Sequence, residues 1–505
     1  MNYDKELSSR STTTTTTVIP PLKLYNIPQA SLESSVQVLQ TTVMEYKSQP
    51  SAKIAPRLII HGGAGNILPT NLPPAKYKLY QKSLLTILSN TYHYLQQGND
   101  ALDTVTYAVT QLENNPLFNS GHGAVFTRDG VNELEASVMV SSGKKKRGVG
   151  LMGLQHVKNP IKLAREMLIR GERDLEGGNG EHRGPLVTND VVHEDAGAQG
   201  HSQLHKFSAE KLAKAWGLEL VNPEYFFVQA RWDEHISGLK KEKEGKGHAS
   251  WDALEFIPQG TCGAVCLDTD GVCATATSTG GMTNKLTGRI GDTPTLGAGF
   301  WAESWEEAYP SKQEVMLRQA GPGLILSETL KGMVSDCLPS LTIYSPLSSE
   351  SDIDLQRGDK IIRSTAMSGT GNGDSFLRTN AVRTASAIAR YKGVSLQQGI
   401  SDVTGPGGEL VKSAGDRWKK TGEGEGGVIG VECTIIVDKN GEKKSATSHI
   451  VDDYNCGGMF RAAIDKYGKA VMRVWRPGQY DDLEGYEDEG RQFDIRDFMD
   501  EKIAQ

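Results

Sequence analysis

The sequence predicts a layered α+β fold, because stretches with helical spacing and stretches with strand spacing follow one another in groups. Apolar residues recur at helical spacing over 75–97 and 101–113. Residues 261–279 form two short apolar and β-branched arms around Asp270-Gly271, a dipeptide that favours a tight hairpin. A second antiparallel hairpin is predicted over 427–449. Helices combined with antiparallel hairpins are typical of layered α+β domains.

Composition excludes several classes of protein. The chain has 505 residues, of which 37% are hydrophobic and 23% charged, as in a globular protein with a sizeable core. Its net charge of -7 gives no support to nucleic-acid or membrane partners. No apolar run approaches the roughly 20 residues of a membrane-spanning helix, and residues 1–21 lack the apolar segment of a secretory signal. Six cysteines without a CxxC pair predict a reducing, cytoplasmic location and no zinc site.

The chain begins with a predicted flexible extension and continues as strand and helix. Residues 1–56 open with a Ser/Thr-rich run and show little periodicity, which favours a flexible tail. Residues 57–66, RLIIHGGAGN, predict a short buried strand that ends in a glycine-rich turn. The helix at 101–113 is capped by Asn99-Asp100.

Further elements are predicted before the central hairpin. The strands and helices expected there lie at 124–127, 133–140, 149–155 (strands) and 160–170, 208–216, 224–238 (helices). Ser208 is the expected cap of its helix. The polar, glycine-rich residues 172–203 indicate an inserted loop. Residues 239–259, rich in lysine and glycine at their start, predict a flexible linker that leads directly to Gly260.

The chain after the hairpin contains a second insertion and two further helices. Residues 303–360 are heterogeneous and indicate an insertion. A strand at 360–367 runs into SGTGNGD, and helices are expected at 374–390 and 408–420. The folded region therefore divides at Gly260 into residues 57–260 and 261–470, and an acidic tail is expected at 471–505, disordered or loosely docked from about Asp481.

Two threonines are expected to meet at the open end of the central hairpin. Folding the arms about Asp270-Gly271 brings Thr279 beside Thr261, within about one residue of register. A threonine hydroxyl inside a chain needs a base, and a threonine exposed as a new N-terminus can use its own α-amine. Gly260 tolerates the strained backbone that such a cut requires. A purely structural Gly-Thr at a strand start is the alternative interpretation.

A glycine-punctuated loop after the hairpin carries Arg289 and Asp292. An arginine fork suits a carboxylate and an aspartate suits an ammonium group, so the pair predicts a site for an amino-acid head group. A mutual surface salt bridge is the alternative. The segment SGTGNGD (368–374) exposes backbone N–H groups and the Thr370 hydroxyl, which suits an oxyanion. A plain helix-capping loop explains that segment equally well.

Several blocks together resemble the plant-type L-asparaginase/isoaspartyl peptidase family of N-terminal nucleophile (Ntn) hydrolases. They occur in family order across most of 57–450. The matching blocks are HGGAGNI (61–67), NPLFNSGHGAVFTRDG (115–130), ELEASVM (133–139), NPIKLAR (159–165), GTCGAVCLDTDG (260–271), ATSTGGMTNKLTGRIGDTPTLGAG (276–299) and SGTGNGDSFLR (368–378).

The resemblance implies a four-layer αββα Ntn-hydrolase sandwich, made as a precursor that cuts itself between Gly260 and Thr261. Thr261 is then the nucleophile and, through its free amine, its own base. The roles implied for the other matching residues are orientation of the nucleophile (Thr279), oxyanion stabilisation (Thr370, Gly371), α-carboxylate binding (Arg289), α-amino binding (Asp292, Gly371, Gly373) and self-cleavage (Asn119).

The resemblance also implies what the protein binds. The loop at 113–122 matches one that holds a structural sodium ion through main-chain carbonyl groups, and no metal or organic cofactor takes part in the chemistry. The expected substrate is L-asparagine or a β-aspartyl dipeptide, and the expected assembly is a dimer of cleaved αβ units. Two alternatives stay open: a taspase-like threonine endopeptidase, and an uncleaved, non-enzymatic scaffold on the same fold.

Overall fold

The computed structural model describes residues 52–143, 148–175, 197–246, 260–307, 358–480 and 483–500. In these ranges the α-helices are α1 (Pro74–Gln96), α2 (Ala101–Glu113), α3 (Pro160–Leu175), α4 (Lys206–Ala215), α5 (Gln229–Lys243), α6 (Gly373–Thr379), α7 (Ala381–Lys392), α8 (Leu396–Thr404) and α9 (Glu409–Ala414). The strands are β1 (Arg57–Gly65), β2 (Leu134–Val140), β3 (Gly148–Leu154), β4 (Gln203–His205), β5 (Cys262–Leu267), β6 (Cys273–Thr279), β7 (Phe300–Glu307), β8 (Lys360–Gly371), β9 (Gly426–Val437), β10 (Lys443–Tyr454), β11 (Gly458–Ile464), β12 (Ala470–Arg473) and β13 (Gln492–Phe493). The mixed α and β content that the sequence predicts is confirmed.

The strands form two sheets. The larger sheet has the order β13-β12-β11-β1-β5-β6-β2-β3-β4, and the smaller one has the order β10-β9-β8-β7. Neighbouring strands are antiparallel except β3 and β4, which are parallel. The β5–β6 hairpin, predicted around Asp270-Gly271, is confirmed and lies in the middle of the larger sheet.

Because side chains alternate along β5, this strand contributes residues to two apolar clusters. Cys262, Ala264 and Cys266 belong to the cluster that includes the buried residues of α1, α2 and α3. Val265 and Leu267 belong to a second cluster with residues of β7 and β9 in the smaller sheet. Because successive strand residues point to opposite faces, a fully apolar strand is needed where both faces are covered.

A third apolar cluster covers the smaller sheet. Met367 and Val428 of that sheet pack there with buried residues of α7 and α8. Strand β8 also contacts β6 of the larger sheet through side chains, since the Thr275 hydroxyl donates to Met367 O at 2.9 Å. The hairpin and the end of β8 are thereby held next to each other, and this juxtaposition positions the candidate site.

The two glycine-rich motifs are strands rather than turns, contrary to prediction. HGGAG lies within β1, which has a bulge between His61 and Gly63. SGTG continues β8 as far as Gly371, and Asn372 then caps α6 by accepting a hydrogen bond from Ser375 N. Small residues fit here because each segment is buried between neighbouring backbones.

Three other local predictions were wrong. Residues 124–127 form a loop, because the side chains of Asn119 and Asn132 take the hydrogen bonds of Ala124 O, Val125 O and Val125 N that a neighbouring strand would take. The expected helix at 374–390 is broken at Asn380, whose φ of 46° lies in the left-handed region. Ser208 lies inside α4, which begins at Lys206 without a side-chain cap.

The expectation of a disordered or loosely docked tail from about Asp481 is also wrong for its described part, 483–500. Strands β12 and β13 pair with each other at the end of the larger sheet. Trp475 is fully buried, and its indole N–H donates to Ile67 O at 2.8 Å. The acidic composition suggested a solvated tail, but two aromatic side chains, Trp475 and Tyr486, anchor this segment in the main core.

Much of each predicted insertion falls outside the described residues. This applies to all of the extension up to 51, to 176–196, to 247–259 and to 308–357. Of the predicted linker, the first residues belong to α5, which extends to Lys243. Within the described ranges, no helix combines the length and the apolar character that crossing a membrane requires.

Candidate active site

The site begins at the open end of the β5–β6 hairpin. Cys262 pairs with Ser278, so one further step of the same register places Thr261 opposite Thr279, as predicted. Thr261 is only 6% exposed. Its hydroxyl oxygen lies 3.5 Å from that of Thr293, whereas the Thr279 hydroxyl accepts a hydrogen bond from Gly281 N at 3.0 Å. Thr293 was missed by sequence reasoning, and its position directly after Asp292 was the available clue.

Gly260 is packed against β1 and Thr370. A Cβ atom built on Gly260 would lie 2.6 Å from Gly63 Cα and 2.8 Å from the Thr370 hydroxyl oxygen. Gly63 itself has a φ of 118°, which a side chain rarely adopts. The HGGAG motif therefore lets two backbones approach closely at the 260–261 bond, which gives this motif a role that its sequence alone does not show.

Thr370 and Gly371 lie where β8 ends. The Thr370 hydroxyl accepts a hydrogen bond from Ala64 N at 3.2 Å and is fully buried. Gly371 has a φ of 145°, and a Cβ atom there would collide with Glu425 O. The structure thus brings Thr370 to the Gly260–Thr261 bond, as an oxyanion site beside that bond requires.

Arg289, Asp292 and Gly373 lie close together. A Cβ atom on Gly373 would lie 2.5 Å from Asp292 Oδ1 and 2.9 Å from Arg289 Nη2. Arg289 Nη2 donates to Asp374 Oδ1 at 3.1 Å. The alternative of a mutual surface salt bridge does not fit, because Asp292 is 5% exposed and the ion pair of Arg289 is with Asp374.

Asp292 has an unusual environment for a carboxylate. Its Oδ2 has no hydrogen-bond partner among the described residues. Burial raises its pKa to about 7, although Arg289 acts in the opposite direction. A buried carboxylate with an unpartnered oxygen is suited to an incoming ammonium group.

Asn119 ties the 113–122 loop to the end of β6. Its side-chain amide donates to Gly281 O at 2.7 Å, and its own carbonyl accepts from Gly280 N at 3.0 Å. Its Oδ1 accepts from Val125 N at 3.1 Å. Asn119 therefore contacts the two glycines after Thr279, at the end of the strand that pairs with β5.

Two buried groups near Thr261 were not predicted. Glu113 accepts hydrogen bonds from Ser278 Oγ at 2.8 Å and Ile161 N at 2.9 Å, and burial raises its pKa to about 8. His61 shares a hydrogen bond of 2.7 Å with Ser368 Oγ, and burial lowers its pKa to about 3. The imidazole is therefore neutral at physiological pH. Neither residue has a sequence spacing that suggests catalysis, because both reach the hairpin only through sheet pairing and loop closure.

Metal-binding side chains do not cluster in the described ranges. No group of three or more His, Cys, Asp and Glu residues there has an arrangement that could hold a metal ion. Main-chain carbonyl groups do converge in the 113–122 loop: a Cβ atom on Gly123 would lie 2.9 Å from Pro116 O and closer still to Phe118 O. Hard cations prefer oxygen ligands, so these two carbonyl groups are part of the ligand set that such an ion needs, although Phe118 O also accepts a hydrogen bond from Ser120 N.

The chain is similar to known proteins. The family model described as Asparaginase matches residues 54–180 and 196–309. The isoaspartyl peptidase of Escherichia coli K12 is 35% identical over 296 residues, which cover 56% of this chain and 83% of that protein. The probable isoaspartyl peptidase/L-asparaginase 2 of Arabidopsis thaliana is 26% identical over 440 residues, 83% of this chain and 98% of that protein. The isoaspartyl peptidase/L-asparaginase of Rattus norvegicus is 33% identical over 247 residues, 49% of this chain and 62% of that protein.

Proposed function

The chain belongs to the family of plant-type L-asparaginases and isoaspartyl peptidases, and on this basis we propose that it is a self-processing hydrolase of aspartyl amides. Its substrates are the side-chain amide of L-asparagine and β-aspartyl peptide bonds. The observation that carries the proposal is the contact between the Thr261 and Thr293 hydroxyl groups at 3.5 Å. Because Asp292 precedes Thr293, this contact supports a role for Thr261 as nucleophile beside the Arg289/Asp292 pair, which suits an amino-acid head group.

The mechanism begins with cleavage of the Gly260–Thr261 bond. The freed α-amine of Thr261 accepts the hydroxyl proton, and the hydroxyl oxygen attacks the amide carbonyl of the substrate. Thr370 and Gly371 stabilise the resulting oxyanion. The amine returns the proton to the leaving group, which departs as ammonia or an amino acid. Water then hydrolyses the β-aspartyl ester on Thr261 and releases L-aspartate.

Substrate recognition uses both charged groups of the amino acid. Arg289 binds the α-carboxylate, and Asp292 with Gly371 and Gly373 binds the α-ammonium group. Support comes from the close approach of Gly373 to both side chains, where a Cβ atom would fill the space. A threonine endopeptidase has no need for such a clamp, so the buried Asp292 favours a small substrate.

The proposed enzyme also has a defined layer arrangement, a bound ion, an oligomeric state and a location. We assign the two sheets and the helices covering them to a four-layer αββα sandwich, as the distribution of the three apolar clusters supports. A structural sodium ion at the Pro116 and Phe118 carbonyl groups would rigidify the 113–122 loop and supply no chemistry. The active form is a dimer of cleaved αβ units without an organic cofactor. A cytoplasmic location accords with the free thiols of the described cysteines.

The decisive experiment compares the wild type with Thr261→Ala by denaturing electrophoresis. The wild-type chain of 505 residues is expected to yield fragments of 260 residues and the remaining 245. The variant is expected to stay intact and to release no ammonia from L-asparagine, with Cys262→Ala as a matched control that still cleaves. A processed, active Thr261→Ala protein would overturn the proposal, and a wild-type chain that stays intact would support the uncleaved scaffold.

A further inference from the structure

We propose that Glu135, on β2, is a positioning residue that sets the place of Arg289 and thereby the affinity for the substrate α-carboxylate. This inference rests on the proposed function, because it assigns the α-carboxylate to Arg289. Glu135 is 1% exposed, which is unusual for a glutamate without a catalytic or structural task.

The first observation is how the Arg289 loop is attached. Glu135 Oε1 accepts a hydrogen bond from Gly291 N at 2.8 Å, and Glu133 Oε2 accepts one from Gly288 N at 2.7 Å. The two glycines lie on either side of Arg289-Ile290 in the chain. Two carboxylates, one on β2 and one directly before it, therefore hold the loop at both ends of its arginine through charge-assisted hydrogen bonds.

The second observation concerns the other oxygen of Glu135. Oε2 is buried and has no hydrogen-bond partner among the described residues. A Cβ atom on Gly291 would lie 3.0 Å from this oxygen and 2.8 Å from Arg289 Nη1. The carboxylate and the guanidinium group thus approach the same point beside Gly291. The negative charge of Glu135 favours this position of the guanidinium group, because opposite charges attract strongly where water is excluded.

The third observation links this attachment to the nucleophile. Glu135 pairs with Thr279 across β2 and β6, and the β5–β6 register places Thr261 opposite Thr279. Three adjacent strands therefore carry the nucleophile, its orienting threonine and the residue that holds the arginine loop. Strand pairing fixes the spacing between Thr261, Thr279 and Glu135. Because Glu135 also holds the loop that carries Arg289, the distance between Thr261 and Arg289 depends on Glu135.

Lys285 contributes a positive charge close to Glu133 and Glu135. It is 4% exposed, and its ammonium group donates to Glu133 O at 2.9 Å. Burial lowers the pKa of Lys285, and Glu135 and Glu133 act in the opposite direction. A lysine near two buried glutamates offsets part of the cost of burying their charge.

The test uses Glu135→Gln, which keeps an oxygen acceptor for Gly291 N and removes the charge beside Arg289. Its kcat/KM for L-asparagine is expected to fall about tenfold, mainly through KM, as for loss of a charge-assisted contact. Cleavage at Gly260–Thr261 does not use the α-carboxylate, so the purified variant is expected to appear as two fragments. This readout also shows that the variant folds.

Two truncated substrates separate positioning from general damage. Succinamate keeps the carboxylate of asparagine and lacks its amino group, and 3-aminopropanamide keeps the amino group and lacks the carboxylate. Glu135→Gln is expected to lose about tenfold on L-asparagine and succinamate and to act on 3-aminopropanamide like the wild type. An equal loss on all three substrates, or no loss on any, would overturn the inference.

Glu432→Gln is the matched control, since Glu432 is also buried and also accepts a backbone hydrogen bond, from Leu396 N at 3.1 Å. It pairs with Thr365, five residues from Thr370 on β8, and is expected to leave the ratio between the three substrates unchanged. If Glu135→Gln fails to fold, Glu135→Asp takes its place, because it keeps the charge and shortens the reach. A wild-type protein without activity on L-asparagine and β-aspartyl dipeptides would contradict the proposed function. The outcome for Glu135 is read separately, from the ratio between the three substrates.

Discussion

Asp292 shows how one residue combines a cost in stability with a use in binding. Burial raises its pKa to about 7, while Arg289 nearby acts to lower it. Its Oδ2 lacks a hydrogen-bond partner among the described residues. A buried, partly unpartnered carboxylate is unfavourable in the free enzyme and becomes favourable when an ammonium group pairs with it.

The pH dependence of substrate binding follows from this pKa. Protonation of Asp292 removes the partner of the α-ammonium group, so we expect the kcat/KM for L-asparagine to fall as the pH drops below about 7. The Thr261 amine, with an ordinary pKa of about 8, affects every substrate alike. Succinamate has no amino group, and its pH profile should therefore be shallower below pH 7. Parallel profiles for the two substrates would contradict the role of Asp292.

Asp292→Asn is expected to lower the activity and to raise the stability of the protein above neutral pH. Because the pKa of Asp292 is raised by folding, its contribution to the free energy of unfolding is present below about pH 4 and is lost as the pH rises through about 7. We expect the variant to be more stable than the wild type at pH 8, by on the order of 1–3 kcal/mol, and equally stable near pH 4. Thermal denaturation at both pH values measures this difference. A variant that is less stable at pH 8 would contradict the assignment.

At the scale of elements, α5 is the last described helix before Gly260, and it holds the loop that carries Asn119. Arg231 on this helix is 5% exposed, and its guanidinium group donates to Gly123 O and Leu117 O, each at 3.1 Å. The same side chain pairs with Glu234. In the proposed mechanism, docking of this kind keeps the end of the first fragment attached after cleavage.

Arg231→Met is expected to destabilise the protein by about 2–4 kcal/mol, because Gly123 O and Glu234 lose their buried partner and Leu117 O keeps only its hydrogen bond from Tyr80. Thermal denaturation measures the change, and the rate of cleavage should fall with it because Asn119 loses its support. Arg128→Met is the control: Arg128 lies in the turn at 128–130, and its ion pair with Glu242 of α5 is partly solvent-exposed, so its loss should leave the Tm nearly unchanged. Equal effects of the two substitutions would show that the loop does not depend on Arg231.

At the scale of the whole molecule, two aromatic residues of the C-terminal segment, Trp475 and Tyr486, are part of the main apolar core. Tyr486 is 2% exposed and packs edge-to-face against Trp475 and Tyr77, with ring centroids 5.2 Å apart in both cases. Its hydroxyl donates to Leu72 O at 2.6 Å. The end of the chain therefore stabilises α1 and the first strands.

Tyr486→Ala is expected to lower the free energy of unfolding by about 3–5 kcal/mol, as for other large buried aromatic side chains. Urea denaturation measures this quantity directly. Glu484→Ala, two residues away and exposed, should have no measurable effect. A Tyr486→Ala protein as stable as the wild type would restore the interpretation of this segment as a loosely docked tail.

The sequence by itself determined the features that depend on local pattern. The cap at Asp100, the hairpin turn at Asp270-Gly271 and the register that faces Thr279 with Thr261 all follow from neighbouring residues. The family motifs also located Arg289, Asp292 and Thr370. Each of these predictions uses residues within a few positions of one another, where propensity and side-chain alternation act directly.

Only the tertiary structure decided the features that depend on distant partners. The HGGAG segment is strand because it pairs with β11 and, at His61, with β5. Trp475 belongs to the core, where Ile67 O accepts its indole N–H. Thr293, Glu113 and Glu135 acquire their roles from strand pairing and loop closure across long stretches of chain. No local pattern encodes such contacts, because burial and hydrogen bonding depend on which backbones the complete fold brings together.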